Sequence, residues 1–185
     1  MNHFSVSSCL CEKLSPFSGF TQWQCGIALG SNMGNRLHHL RQARDELTTR
    51  YGEIRCSRIY ETDPVDCEPG TQAYLNAVIA IKFEGDQFTL LNELQCIETR
   101  MGRPSRHPRH APRTLDLDIL YFGNLIFKDA TIEIPHPRLR LRRFVLAPLC
   151  DLQPDLVLPG QKETVSELLE KLPLHPWCSV FKEDF

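Results

Sequence analysis

The stretch AYLNAVIAIKF, residues 73–83, decides the fold, because it is the strongest strand pattern in the sequence. A short apolar run rich in β-branched residues and bounded by turn-forming residues is typical of a buried strand. The segment after it, QFTLLNELQCIETRMG (87–102), repeats apolar residues at helical spacing and predicts an amphipathic helix. The stripe that we expect to face the core consists of Phe88, Leu91, Leu94 and Ile97.

A strand and a helix are also predicted upstream. QCGIALGSN (24–32) indicates a short buried strand, and Asn35 is in position to cap the helix RLHHLRQARDELTTRYG (36–52), which Gly52 ends. EIRCSRIYET (53–62) is a further strand candidate. The apolar stripe of this first helix consists of Leu37, Leu40, Ala43 and Leu47.

Downstream, RTLDLDIL (113–120) alternates apolar and acidic residues with the period of a strand. Both Asp116 and Asp118 should therefore point to the same side. Gly123 and Asn124 then predict a tight turn. The order strand, helix, strand, strand, helix, strand favours an α+β, ferredoxin-like fold. We expect an antiparallel sheet with helices mainly on one face and additional C-terminal elements.

Length and composition limit the organisation of the chain. With 185 residues, 42% of them hydrophobic and 24% charged, we expect one domain at 23–175. A flexible or loosely docked extension (1–22) would precede it and a tail (176–185) would follow. The net charge of −2 argues against a general nucleic-acid binder. Eight cysteines without a CxxC pair favour reduced thiols in a soluble cytoplasmic protein, and no run is long and apolar enough to span a membrane.

The chemistry of the two aspartates depends on their neighbours. A pair of acids on a strand is either a solvated face or a magnesium site, since Mg²⁺ uses one or two carboxylates together with water and phosphate. The loop GRPSRHPRHAPRT (102–114) leads directly into them and is rich in arginine, which matches phosphate oxygens in bidentate fashion. Its prolines exclude a helix. His107 and His110 could form a zinc pair, but no further ligand lies at zinc spacing. The combination favours a site for a metal-bound polyphosphate.

Several separate motifs carry a family resemblance. ALGSNMGN (28–35), YLNAV (74–78), PRTLDLDILYFG (112–123), IPHPRL (134–139) and RRFVLAPL (142–149) occur in this order. Together they closely resemble the 6-hydroxymethyl-7,8-dihydropterin pyrophosphokinases, enzymes of folate biosynthesis. The similarity runs from Gly26 to Glu170 and omits the extension and the final PWCSVFKEDF.

The resemblance implies transfer of the pyrophosphoryl group of ATP to the hydroxymethyl oxygen of the pterin, with release of AMP. It implies that Asp116 and Asp118 hold two Mg²⁺ ions, and that Arg103 and Arg113 share the catalytic role with them. The implied ATP-binding residues are Gln95, Glu98, Arg103, Arg106, Arg113, Ile119, His136 and Arg142. The implied pterin-binding residues are Thr62, Pro64, Val65, Tyr74, Asn76 and Phe144. We expect a monomer whose partners are these small molecules, without nucleic acid or membrane.

Four positions depart from the family pattern. His110 and Ala111 stand where many members have Trp-Gly, Pro137 stands where some have Tyr, and Ser105 stands where an arginine is frequent. The changes at Ser105, His110 and Ala111 lie in the loop that would close over ATP, which we expect to become ordered only with both substrates, and Pro137 removes a possible hydroxyl contact with the nucleotide. Two alternatives use the same fold. One is an RNA-binding module, which would need a Lys/Arg-Gly-Phe/Tyr strand motif that we do not find. The other is a small phosphohydrolase, which would need no pterin pocket.

Overall fold

A computed structural model of the chain describes residues 22–63, 72–102, 113–183 and 185. Apart from Gln22, the predicted N-terminal extension lies outside the described residues. The elements in chain order are β1 (Gln22–Ser31), α1 (Arg36–Tyr51), β2 (Arg55–Cys56), β3 (Ile59–Thr62), β4 (Tyr74–Glu84), α2 (Gln87–Arg100), β5 (Asp116–Phe122), β6 (Phe127–Lys128), β7 (Glu133–Ile134), a 3₁₀ turn (Leu139–Leu141), α3 (Arg143–Leu152), α4 (Val165–Glu170) and β8 (Cys178–Lys182).

The strand predicted from residues 73–83 is the middle of the main sheet. β4 pairs antiparallel with β1 along its length, from Gln22 opposite Glu84 to Ser31 opposite Leu75. The sheet order is β5-β1-β4-β3-β8, and β2 also pairs with β4. β4 is apolar on both sides because both faces of the sheet are covered. This arrangement confirms the predicted ferredoxin-like fold.

Helices α1 and α2 cover one face of the sheet. Asn35 caps α1 by accepting a hydrogen bond from the His38 backbone N–H, and Gly52 ends the helix at a φ of 75°. Leu40, Ala43 and Leu47 of the predicted stripe are buried, and Leu37 is partly buried against the same core. For α2 the prediction was partly wrong. Leu90, Leu94 and Ile97 face the core, whereas Leu91 is half-buried and Phe88 is exposed.

The position of Phe88 follows from helical geometry. At 3.6 residues per turn it lies about 120° around the helix from Leu94, and it therefore points past the core. Its ring packs edge-on against Phe127 of β6, with the centroids 5.5 Å apart.

The other face of the sheet is covered by α3 and α4. Val145, Leu146 and Leu149 of α3 pack on Val78 and Leu120. A capping box at Thr164 fixes the start of α4. The Thr164 hydroxyl accepts from the Glu167 backbone N–H, and the Glu167 carboxylate accepts from the Thr164 backbone N–H. These helices are the additional C-terminal elements, and they form the wall of the cleft described below.

Two strands differ from the sequence-based interpretation. The predicted strand 53–62 divides into β2 and β3, because the Ser57 hydroxyl accepts the N–H of Val78 and donates to the Arg58 carbonyl. The segment interpreted as a tail includes β8, which pairs with β3 from Thr62 opposite Cys178 to Ile59 opposite Lys182. No helix in the described part of the chain is long and apolar enough to cross a membrane.

Candidate active site

A cleft of about 430 Å³ opens on the face of the sheet that carries α3 and α4. Strand β1 forms its floor at Ala28 and Gly30, between β5 and β4. The opposite wall is the segment that runs from His136 through the 3₁₀ turn into α3. Nine of the predicted site residues line this cleft: Thr62, Tyr74, Asn76, Arg113, Asp116, Asp118, His136, Arg142 and Phe144.

Asp116, Gly30 and Asn76 lie side by side on neighbouring strands. Gly30 of β1 is in register with Asp116 of β5 on one side and with Asn76 of β4 on the other. A Cβ atom at Gly30 would lie 3.4 Å from Asn76 Oδ1 and 3.9 Å from the Asp116 Cβ. A side chain here would fill the floor between the carboxylate and the amide, so glycine keeps this part of the cleft open.

Asp118 lies one step further along β5, opposite Ala28. Leu117 and Ile119 are buried in the core beneath α1 and α2, while Asp116 and Asp118 both line the cleft. The two-residue period of the sequence therefore predicted the common orientation of the two acids correctly.

Arg113 is fixed at the point where the basic loop joins β5. Its Nη1 donates to Asp116 Oδ2 at 2.6 Å. Its backbone N–H donates to Asn32 Oδ1 at 2.7 Å, and its carbonyl accepts from the Asn32 N–H at 3.1 Å. These bonds place one arginine of the loop directly beside the first carboxylate.

His136 lies on the wall opposite the carboxylates. Its backbone N–H donates to the Leu120 carbonyl at 2.9 Å, which holds the wall against β5. The backbone N–H of Arg138 donates to His136 Nδ1 at 3.2 Å, so the ring proton is on Nε2. Burial, together with the charges of Arg142 and Arg138, lowers the pKa of His136 to about 4. At neutral pH the ring is therefore a neutral donor through Nε2.

Arg142 lies next to His136 on the same wall. Its guanidinium carbon is 5.3 Å from the centroid of the Phe144 ring. Burial and the positive charge of Arg138 lower the pKa of Arg142, while Asp118 and Asp116 raise it. Because an arginine stays charged even so, a half-buried cation faces two carboxylates across the cleft.

The other end of the cleft combines an amide with aromatic rings. Asn76 is only 7% exposed, and its Nδ2 donates to the Thr62 hydroxyl at 2.8 Å. Tyr74 and Phe144 line the same cleft. A fixed amide and two aromatic rings that line one cleft suit a flat heterocycle with polar edges.

Three predicted nucleotide contacts lie outside the cleft. Ile119 is buried in the core, and Gln95 is exposed on α2. Glu98 is only 4% exposed, and its Oε1 accepts the Leu117 N–H at 2.7 Å along the outer edge of β5. The structure therefore gives Glu98 a role in covering a sheet edge, and its predicted contact with the nucleotide stays a prediction.

Some predicted site residues cannot be placed. Arg103 and Arg106 of the basic loop, and Pro64 and Val65 near the pterin end, lie outside the described residues. So do His107 and His110, the alternative zinc pair, and the departures at Ser105 and Ala111. Residues 103–112 of the loop whose ordering is predicted lie outside the described part of the chain as well.

Four residues of the cleft wall were not predicted from the sequence as site residues. Arg138, Leu141 and Arg143 line the cleft, and so does Pro176, which was assigned to the tail. The run of arginines from 138 to 143 was a visible signal, but the 3₁₀ turn decides which of them face the cleft.

The donors present fit magnesium. Asp116 and Asp118 offer hard carboxylate oxygens, and their cleft is open enough to admit water and a phosphate chain. Among the described residues no group of three or more His, Cys, Asp or Glu could hold a metal by itself. A cation held by two carboxylates, with its other ligands from water and substrate, agrees with this donor set.

Comparisons with known proteins show what the chain is similar to. The family model of 7,8-dihydro-6-hydroxymethylpterin-pyrophosphokinase (HPPK) matches residues 26–154. A Bacillus subtilis 2-amino-4-hydroxy-6-hydroxymethyldihydropteridine pyrophosphokinase is 44% identical over 68% of this chain and 75% of its own length. The enzyme of the same name from Haemophilus influenzae is 38% identical over 80% of this chain and 92% of its own.

Solved structures show the same fold. A Plasmodium falciparum HPPK-DHPS superposes with a TM-score of 0.68 over 83% of this chain, at 17% identity. This chain spans less than half of that protein, 46% of its length. The family model matches most of the chain, and the chain covers 75% of the Bacillus subtilis enzyme and 92% of the Haemophilus influenzae enzyme. The chain therefore belongs to the HPPK family, the 7,8-dihydro-6-hydroxymethylpterin-pyrophosphokinases.

Proposed function

We propose that this chain transfers the pyrophosphoryl group of ATP to the hydroxymethyl group of 6-hydroxymethyl-7,8-dihydropterin, with release of AMP. The observation that carries the proposal is the row formed by Asp116, Gly30 and Asn76. This row supports a phosphate-and-metal site and a heterocycle site next to each other on one floor. Two substrates held there would have their reacting groups adjacent, which is the main requirement of such a transfer.

The reaction is a substitution at the β-phosphorus. The hydroxymethyl oxygen forms a bond to that phosphorus, and the bond from the phosphorus to the oxygen shared with the α-phosphate breaks. AMP leaves with that oxygen, and the hydroxyl proton is released. Mg²⁺, held by Asp116 and Asp118, would neutralise negative charge on the phosphate oxygens. The expected number of two ions stays a prediction.

The residues of the wall supply the remaining positive groups. Arg142 faces the carboxylates, and His136 offers its Nε2 proton to a phosphate oxygen. Arg113 can hold a phosphate oxygen while it remains beside Asp116. Fixed donors of this kind stabilise charge on the transferring group without reorganisation during the reaction.

At the other end, Asn76 and Thr62 bind the polar edge of the pterin, and Tyr74 and Phe144 pack on its faces. The hydrogen bond between Asn76 and Thr62 fixes the amide, so that its oxygen keeps one orientation. This rigid end orients the hydroxymethyl group toward the row of Asp116.

ATP labelled at the γ-phosphate tests the proposal. We expect the label to move to the pterin in a product that carries two phosphates. Release of the label as phosphate or pyrophosphate, at a rate that pterin does not change, would instead indicate a phosphohydrolase. The RNA-binding alternative predicts neither product. Location in the cytoplasm and a monomeric state stay predictions.

A further inference from the structure

Arg138 is a cation of the cleft wall that the sequence analysis did not assign to the site. It lines the cleft beside His136 and Arg142. Its backbone N–H donates a hydrogen bond to His136 Nδ1. Within the described residues, its guanidinium makes no hydrogen bond and no ion pair. An exposed guanidinium of this kind has all its donors available to a ligand.

Its neighbour Arg140 provides a contrast. Arg140 is also exposed, but its Nη1 donates to Gln161 Oε1 at 3.3 Å, and it does not line the cleft. The 3₁₀ turn begins after Arg138 and contains Arg140, so that Arg138 lines the cleft and Arg140 does not. The two arginines therefore differ in what they face and not in charge.

The charge of Arg138 is close to the other donors of the wall. It lowers the pKa of both His136 and Arg142. The charged guanidiniums of Arg138 and Arg142 repel each other, and an anion bound between them would relieve that repulsion. The wall is therefore favourable for a ligand with several negative oxygens.

The sheet register shows which end of the cleft Arg138 serves. Asp116 shares a row with Asn76 at the heterocycle end. Asp118 lies in the next row, and His136 is bonded to Leu120, one step further. Since the backbone N–H of Arg138 is bonded to His136, the backbone of Arg138 is anchored toward the end away from Asn76.

We propose that Arg138 binds the triphosphate chain of the nucleotide, as an additional phosphate ligand beside His136 and Arg142. This inference rests on the proposed function for the identity of the anion. It predicts that Arg138 affects the affinity for ATP and not the affinity for the pterin.

The test uses Arg138→Met, with Arg140→Met as the matched control and Arg138→Lys as the conservative variant. The ligand is α,β-methylene-ATP with Mg²⁺, because its methylene bridge cannot leave and binding is measured without transfer. We expect calorimetry to show affinity about tenfold weaker for Arg138→Met, since one charge-assisted hydrogen bond is lost. Arg140→Met should stay within about twofold of the unaltered protein, and Arg138→Lys should lie between.

Steady-state kinetics give a second readout. Arg138→Met should raise the KM for ATP and leave the KM for pterin unchanged. The affinity of Arg138→Met should also depend less on salt concentration, because one screened contact is missing. Thermal melting of each variant checks that the fold is intact.

The outcomes separate this inference from the proposed function. Equal analogue affinity in Arg138→Met and Arg140→Met would overturn the role of Arg138, whatever the turnover of the unaltered protein. Weaker affinity in Arg138→Met alone would support it. If the unaltered protein formed no AMP, the proposed transfer would fail, but the affinity comparison would still decide the role of Arg138.

Discussion

Arg113 and Asp116 form an ion pair, with Nη1 and Oδ2 2.6 Å apart, at the start of β5. Both side chains are about one quarter exposed, at 22% and 26%. Partly exposed pairs of this kind contribute only about 0–1 kcal/mol to stability. The pair can therefore open, or accept a third partner, at little cost. This is the behaviour expected of residues that must bind a cation and a phosphate when substrate arrives.

Replacement of Asp118 by Asn should abolish most of the turnover while the fold is kept. The change removes a negative charge from the cleft without a change of shape. We expect kcat to fall by at least about 10³-fold, because several kcal/mol of charge stabilisation are lost. The measurement is AMP formation at saturating substrates, with thermal melting to check the fold.

Asp155→Asn is the control for this substitution, because it makes the same change at an exposed position that does not line the cleft. It should retain full turnover. Undiminished turnover in Asp118→Asn would remove this acid from the metal site.

Asn76→Ala should weaken pterin binding selectively. Its amide is buried and bonded to Thr62, so the change removes the polar contact with the pterin and leaves the Thr62 hydroxyl without this donor. We expect the KM for pterin to rise at least about tenfold, and stability to fall by about 1–3 kcal/mol. Binding of the ATP analogue should change little. Asn92→Ala, an exposed site on α2, is the control. A uniform loss of affinity for both substrates would contradict the assignment of this end to the pterin.

Stability should depend on the protonation of His136. Its pKa is about 4 in the folded chain, against an unfolded value of about 6.5. Between these values the unfolded chain binds a proton that the folded chain does not. The free energy of unfolding therefore falls as pH decreases from about 6.5 toward 4, and this component is constant above that window.

Urea denaturation at pH 7 and pH 5 measures this effect. We expect the loss of stability between the two pH values to be smaller in His136→Asn than in the unaltered protein, because the titrating ring is gone. His38→Asn, at an exposed position on α1, should keep the original difference. An identical pH dependence in His136→Asn would show that the ring is not buried as described.

Glu98 should matter for the sheet edge. Its carboxylate is buried and accepts the Leu117 N–H at 2.7 Å. Glu98→Ala leaves that N–H without its partner, and we expect stability to fall by about 1–3 kcal/mol in urea denaturation. Glu98→Gln keeps an acceptor oxygen and should lose less. Equal losses in the two variants would mean that the charge, and not the hydrogen bond, is what β5 requires.

Local sequence patterns correctly predicted the elements that depend on interactions between residues close together in the chain. The period of β5 placed both aspartates on one side, and the cap at Asn35 located the start of α1 correctly. The inward stripe of α2 was partly wrong because Phe88 lies about 120° around the helix from Leu94, and its ring packs instead on Phe127 of β6. That partner is distant in sequence, and no local pattern indicates it.

Non-local pairing explains the rest of what was missed. None of the residues of β8 is fully buried, so its sequence lacks a strong strand pattern, and its pairing with β3 defines it. That pairing brings Pro176 to the cleft. Likewise, Arg138 and Arg140 cannot be distinguished in the sequence, because the turn that separates them is set by the packing of Leu139.

The most direct test of the account is to incubate the unaltered protein with ATP and Mg²⁺, with and without 6-hydroxymethyl-7,8-dihydropterin, and to separate the nucleotides. The account predicts AMP that forms only when pterin is present, in an amount equal to the pterin consumed. Formation of ADP, or of AMP at a rate that pterin does not change, would contradict it.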